Sequence, residues 1–375
     1  MKTQDNKKRL VTRRRFIGTA FAGTAVIPVL PLINGCTSAP PSSATGSGVP
    51  NSKFGGVQIG TITYSYRGIN GIDEVLKACV GSGVSSIELM SDGIEEWCGA
   101  PAVIRAPRRR RTPPPGVIQG DNPPPPPPPP PPQGTMPQQR PGMGQGVEMT
   151  DEEYAELEKQ AAESQEALSE WRKSASMDKF EELGKLFSDA GVNIHIVKWS
   201  PGNWPDEEID YAYRATRAMG AKGITNELDD EAARRMGPIA EKYGMYAIFH
   251  NHMQYAEPGF SADPFLAHSP ANMLNFDCGH YFGSTGLNPV DFIRKYHDRI
   301  FSIHLKDKTG PNTDPPNANQ VWGQGETPLE EVLLLVKENK WPIYCDIELE
   351  YRVPSWSDPV KEVRTCVNYC RQILI

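Results

Sequence analysis

Short apolar runs alternate with amphipathic stretches along most of the chain, and their two periods separate strands from helices. Val57 to Thr63 and Ser86 to Met90 read as the first two strands, with a helix over Gly71 to Ser82 whose Ile72, Val75, Leu76 and Cys79 share one face. Asp151 to Ala190 reads as one long helix, with acidic residues in its first turn and Gly191 as its stop. Further strands are expected at Asn193 to Trp199, Gly223 to Asn226, Tyr246 to His250, Met273 to Asp277, Ile300 to His304 and Ile343 to Glu348. Between and after them, helices are expected at Glu207 to Met219, Asp230 to Tyr243, Ala262 to Leu266, Pro289 to Tyr296, Leu329 to Asn339 and Asp358 to Leu374.

Eight strands alternating with helices imply parallel pairing through crossover helices. Eight such units close as a (β/α)8 barrel, for which about 250 residues is typical. The competing architecture, an open doubly wound sheet, places a Gly-rich phosphate loop after its first strand, and Thr61-Ile62-Thr63-Tyr64 supplies none. The expected fold class is therefore α/β, a TIM barrel over residues 53–375.

Two segments stand apart from this alternation. Residues 105–146 carry Arg108 to Arg111 and then Pro123 through Pro132 unbroken. Polyproline makes no internal hydrogen bonds and this stretch has little apolar area to bury, so it reads as an insertion within the barrel after strand two. Residues 1–36 read as an address label. Arg13-Arg14-Arg15 precede the apolar run Phe16 to Ile33, which resembles a twin-arginine export signal, and Leu32-Ile33-Asn34-Gly35-Cys36 resembles a lipobox with Cys36 as the lipidated residue. Residues 37–52 read as a flexible tether. The expected location is periplasmic or membrane-anchored.

Composition narrows the function. The 375 residues carry a formal net charge of −7, which argues against a nucleic-acid partner, since such proteins present a basic face. Seven cysteines without a CxxC pair argue against a zinc ribbon, a thioredoxin-type motif or a disulfide scaffold.

In a TIM barrel, chemistry sits at the C-terminal strand ends. Those ends carry Glu88, Lys198-Trp199, Asn226-Glu227, His250-Asn251-His252, Asp277-Cys278-Gly279-His280, His304-Leu305-Lys306-Asp307 and Asp346-Ile347-Glu348-Leu349-Glu350. Five of the seven histidines are read as lying at strand ends or just beyond, with His268 and His297 in loop or helix contexts. Imidazole and carboxylate on four consecutive strand ends suit a divalent cation such as Mn²⁺, Mg²⁺, Co²⁺ or Zn²⁺. Register leaves Asn251 and His252 as rivals to His250, and Glu350 as a rival to Glu348.

Phe276-Asp277-Cys278-Gly279-His280, Ile303-His304-Leu305-Lys306-Asp307 and Asp346-Ile347-Glu348 together resemble the sugar phosphate isomerase/epimerase family of the xylose isomerase-like TIM-barrel superfamily. The resemblance runs from Val57 to the C-terminus apart from the Pro-rich insertion. It implies one divalent metal held by ligands on strands five to eight, with Asp277, His304 and Glu348 matching the last three in order. His280 matches a histidine that contacts substrate. On strand five, where ketose 3-epimerases of the group have Glu, this chain has His250. Its His-Asn-His form resembles a branch that includes inosose dehydratase-like members. The expected metal set is His250, Asp277, His304 and Glu348, with Glu227 and Asp346 orienting the imidazoles.

A metal-polarised carbonyl makes the neighbouring C–H acidic, and Glu348 is the expected base. His280, Lys306 or Glu350 is the expected acid. Substrate contacts are expected from Glu88, Trp199, Glu227, His252 and Glu350. Sugar stacking is a further use for Tyr64, Tyr66, Trp97, Trp204, Tyr255, Tyr281, Phe282 and Trp322. The leading expectation is a metal-dependent isomerase or epimerase of a free sugar or keto-sugar. The alternatives are a lyase or dehydratase acting on a 3-keto-glycoside or inosose-like compound, and a non-catalytic sugar-binding lipoprotein. The partners implied are a small-molecule carbohydrate, a membrane through the lipid anchor alone, and further copies of the chain in a homo-oligomer.

Overall fold

The computed structural model describes residues 49–105 and 150–375. The segment read as an export signal, Cys36, most of the segment read as a tether and nearly all of the Pro-rich insertion lie outside the described residues. Eight parallel strands close on themselves: β1 (Val57–Ile62), β2 (Ser86–Met90), β3 (Asn193–Lys198), β4 (Gly223–Glu227), β5 (Tyr246–His250), β6 (Asn272–Asp277), β7 (Ile300–Leu305) and β8 (Tyr344–Ile347). Each pairs with its neighbours in sequence, and β8 and β2 both pair with β1, which closes the barrel. Lys53–Phe54 adds a short antiparallel strand to β1. Asp307–Lys308 pairs with Asn319–Gln320 in a small ribbon beyond β7.

The helices are α1 (Ile72–Ser82), α2 (Ile94–Trp97), α3 (Asp151–Ser174), α4 (Asp178–Asp189), α5 (Asp206–Ala218), α6 (Asp230–Tyr243), α7 (Asp263–Ala267), α8 (Cys278–Thr285), α9 (Pro289–Tyr296), α10 (Leu329–Asn339) and α11 (Pro359–Leu374). Their apolar faces meet the outward residues of the strands in one core that includes Ile59, Ile87, Val197, Ile224, Phe276, Ile303 and Ile347. Side-chain caps mark the starts: Asp229 accepts from Ala232 N, Asp277 from His280 N and Asp358 from Lys361 N.

Several elements differ from the sequence reading. The long helix expected over Asp151 to Ala190 is two helices. The chain turns extended at Ala175, and Ser176 Oγ accepts from Asp178 N, a local bond that competes with helix continuation. Helix α8 is an additional element, a short helix directly after β6 that puts His280 in its first turn. The tether ends before Ser52, which is buried with its Oγ donating to Ile59 O. His195 is not at a strand end but inside β3, near its N-terminal side. Ile194 pairs with Ile87 and Ile196 with Glu88, so β3 carries one extra residue there. That bulge lets His195 and Lys198 both face the barrel interior despite being three apart, as their contacts across the interior show.

Candidate active site

Parallel register brings the ionisable strand ends to one level. Asp277 lies beside His304, and Glu227 beside His250. Ligand atoms of His250, Asp277, His304 and Glu348 all lie within 4.8 Å of one another, and all four residues are buried. The register question on strand five is answered by Asn251, whose Oδ1 accepts from Asp277 N at 2.9 Å, leaving His250 as the inward residue.

His304 is held on both sides. Its Nδ1 is 2.7 Å from Glu348 Oε2, and its Nε2 is 2.6 Å from Glu88 Oε2. Burial disfavours a charged imidazole, but the two carboxylates outweigh it and hold His304 well above its usual range. Burial likewise opposes ionisation of Glu348, yet Lys306 and His304 keep its carboxyl well below the usual carboxylate range. For His250 the balance is reversed: burial first, then Lys198 and His304, push it well below its usual range, so it is a neutral imidazole with a lone pair to offer.

Lys306 Nζ lies at 2.9 Å from Asp277 Oδ2 and at 3.0 Å from both Glu348 Oε2 and Glu350 Oε2. It also lies 3.0 Å from His280 Nε2. An ammonium has three N–H groups, fewer than these four acceptors need. Among the described residues, Asp277 Oδ2 has no hydrogen-bond partner besides this lysine, and His280 Nδ1 is buried without a hydrogen bond. Four carboxylates, Glu88, Asp277, Glu348 and Glu350, face Lys306, one imidazolium and the more distant Lys308, and the adjacent Lys198–Glu227 pair is neutral as a unit. A buried excess of negative charge with two imidazoles among the donors fits a divalent cation. Such a cation competes with Lys306 for Asp277 and Glu348.

Towards the mouth, Glu227 Oε1 accepts from Lys198 Nζ at 2.7 Å, and Oε2 lies 2.9 Å from His252 Nε2. Burial raises the Glu227 carboxyl, but His252 and Lys198 bring it down to about 2. The ring of His252 stacks on His280 with centroids 5.1 Å apart. Glu227, His252 and Glu350 thus stand around the opening above the four donors.

Three expected roles are corrected. Glu88 is fully buried beneath His304 and bonded to Asn275 Nδ2 at 2.7 Å, so it is out of a substrate's reach. Trp199 is 3% exposed; its Nε1 donates to Thr216 and its ring packs on Trp204 and Tyr211, which makes it core. Asp346 orients none of the four-donor imidazoles, because its Oδ2 pairs with His195 Nε2 at 3.0 Å. Among the proposed stacking aromatics, Tyr66 and Trp322 are buried and Tyr64 is exposed. Asn275 and Lys198 are additions to the expected site. The signal for Asn275 was its place two residues before Asp277, on the same face of β6.

The family model for the xylose isomerase-like TIM barrel matches residues 169–372, more than half of the chain. The chain belongs to the xylose isomerase-like TIM-barrel family. Among curated proteins, an inosose dehydratase of Clostridium botulinum is 28% identical over 144 residues, 34% of this chain and 47% of that protein. An inosose dehydratase of Clostridium perfringens is 22% identical over 158 residues, 38% of this chain and 52% of that protein. The chain thus spans about half the length of the curated relatives it matches. Among solved structures, the "probable 3-DHS dehydratase AsbF involved in the petrobactin synthesis" of Bacillus anthracis superposes with a TM-score of 0.50 at 13% identity. That match covers 83% of this chain and 99% of the other, a likeness of fold. Within the family barrel, the four-donor set stands at the C-terminal strand ends.

Proposed function

We propose that this family member is a metal-dependent lyase that eliminates water, or another β-substituent, from a polyhydroxylated ketone. The observation that carries this reading is the asymmetry of the donor set. One glutamate, Glu348, stands on one side, and a neutral, buried His250 occupies the place of a second. An epimerase that works both faces of a carbon needs two opposed bases, whereas an elimination needs one base and an acid for the leaving group. The similarity to proteins named inosose dehydratase supports the same choice.

His250, Asp277, His304 and Glu348 would hold the cation. Bound there, a divalent metal polarises a ketone and its neighbouring hydroxyl. Glu348 takes the proton from the carbon beside the carbonyl. The electron pair becomes the new C=C bond as the β C–O bond breaks, and the Lys306–His280 pair gives a proton to the departing oxygen, which leaves as water or an alcohol. Glu350 holds Lys306 in place. Glu227, His252 and their Lys198 partner bind substrate hydroxyls at the mouth. With the twin-arginine-type signal and Cys36 lipobox read from the sequence, we place the enzyme outside the cytoplasm, where substrates without phosphate are the ones to test.

The test is incubation of metal-loaded protein with cyclic polyol ketones and 3-keto-glycosides in D₂O. Loss of water or an alcohol, read by mass spectrometry, is the expected result. Deuterium incorporation without elimination would overturn the lyase reading in favour of an isomerase or epimerase.

A further inference from the structure

Beneath the four-donor set lies a buried polar layer that the proposed reaction does not use. Glu88 on β2 and Asn275 on β6 meet across the barrel interior, Asn275 Nδ2 donating to Glu88 Oε2 at 2.7 Å. A carboxylate without a proton can only accept, so this bond fixes the amide orientation. It turns Asn275 Oδ1 towards His250, whose Nδ1 lies 3.3 Å away and must be the donor. His250 is then left with Nε2 as its lone-pair nitrogen. Glu88 Oε2 also lies 2.6 Å from His304 Nε2 and Glu348 Oε2 lies 2.7 Å from Nδ1, so the metal-free imidazolium donates to both; a cation that took Nδ1 together with Glu348 would leave the proton on Nε2, facing Glu88. One carboxylate and one amide therefore dictate the tautomer and ring angle of both imidazoles in the set.

We propose that Glu88 and Asn275 are positioning residues that preset His250 to bind a divalent cation through Nε2 and His304 to bind it through Nδ1. The inference rests on the metal part of the proposed function and adds the layer that orients the ligands. Neither residue is one of the four proposed donors. Their burial supports this: Glu88 and Asn275 are both 0% exposed, although a glutamate is seldom fully buried unless it is paired. Carboxylate or carbonyl partners on the far nitrogen of a ligating histidine raise its basicity and fix its angle, and their loss weakens metal binding by about 10–100-fold.

The experiment is Co²⁺ titration of the full chain, read by chelator competition and by the visible ligand-field spectrum, for wild type, Glu88→Gln, Asn275→Leu and the double variant. Each single variant is expected to bind Co²⁺ about 10–100-fold more weakly with a shifted spectrum. The double variant is expected to lose less than the product of the two, because the residues act as one unit. Circular dichroism of the metal-free proteins checks the fold. If Glu88→Gln does not fold, Glu88→Asp, which keeps the charge but withdraws it from His304, is expected to show the same weakening. Affinity within about twofold of wild type and an unchanged spectrum in any folded Glu88 variant would overturn the proposal. A wild type that takes up no Co²⁺ would overturn the metal reading itself, and this inference with it.

Discussion

The barrel holds two histidine–carboxylate clusters at different depths, and they are put to different uses. At the N-terminal end, His195 Nδ1 meets Ser86 Oγ at 2.9 Å and Nε2 meets Asp346 Oδ2 at 3.0 Å. Its ring stacks on Tyr344 with centroids 4.2 Å apart and interplanar angle 6°, and Phe301 stacks on Tyr344 in turn. Both nitrogens of that histidine are satisfied, the aromatic floor shuts it in, and Gly60 leaves room for the Asp346 carboxylate. At the C-terminal end, His250, His280 and His304 stand among four carboxylates and one overcommitted lysine, with His280 Nδ1 lacking a hydrogen bond and Asp277 Oδ2 held by that lysine alone. Residue types are the same in both places. Asp346 Oδ1 below is as unbonded as His280 Nδ1 above, so what distinguishes the upper cluster is its surplus of carboxylates around an overcommitted lysine, open towards the mouth.

The largest effects should come from breaking the upper cluster. Asp277→Ala and His304→Ala are expected to lose metal by more than the ~100-fold that removal of an outer partner costs, while circular dichroism stays barrel-like. Elemental analysis after gel filtration checks this, and stoichiometric metal in either variant would move the site elsewhere.

Lys306→Met sharpens the contrast in the opposite direction. A cation 2.9–3.0 Å from two proposed ligands competes with the metal. Even with an effective dielectric near 20, like charges about 4 Å apart repel by roughly 4 kcal/mol. Metal affinity is expected to rise by about tenfold or more while elimination activity is lost. An unchanged or weaker affinity in calorimetry would show that Lys306 does not contend for these carboxylates.

Much of this arrangement was legible in the sequence. Strand limits at Ser86–Met90 and Tyr246–His250 were read from short apolar runs, and the four-donor set from their polar strand ends together with the family resemblance. The depth of each group was not legible. A bulge in β3 changes which residues face inward, so His195 and Lys198 exchanged significance, and Trp199 rotated into the core. Glu88 was read as a strand-end residue although the strand runs on to Met90, and its bonds to His304 and Asn275 below the opening carry no sequence signal. The break between α3 and α4 hung on one serine bond, which no apolar period reports.

In the lower cluster, Gly60→Ala should act on stability alone. A Cβ there would come within 2.0 Å of Asp346 Oδ1, a carboxylate held by His195, and 3.2 Å of Ser86 O. A loss of about 1–3 kcal/mol is expected from overpacking, with Co²⁺ affinity unchanged. Urea unfolding and Co²⁺ titration of the same sample separate the two.

The smallest effect concerns the mouth. His252 is raised from its usual range, first by its hydrogen bond to Glu227, with burial opposing. A raised folded value means that this contribution is complete below about pH 6.5 and fades as pH climbs through the folded value. Glu227, drawn down to about 2, contributes above its ordinary range near pH 4.5 and loses that contribution as pH falls towards 2. Both groups are about half exposed, so salt should screen the effect. Melting temperatures of wild type and His252→Ala should converge between pH 6 and 9, and a gap that widens with pH would reverse the sign.

Anomalous diffraction from crystals soaked in Co²⁺ or Zn²⁺ tests the central claim most directly. One strong peak is predicted between His250 Nε2, Asp277, His304 Nδ1 and Glu348, with Lys306 moved off Asp277 or Glu348 and the Ser86–His195–Asp346 cluster empty. A peak held by Glu227 and His252 instead, or none at the four donors, would contradict the account.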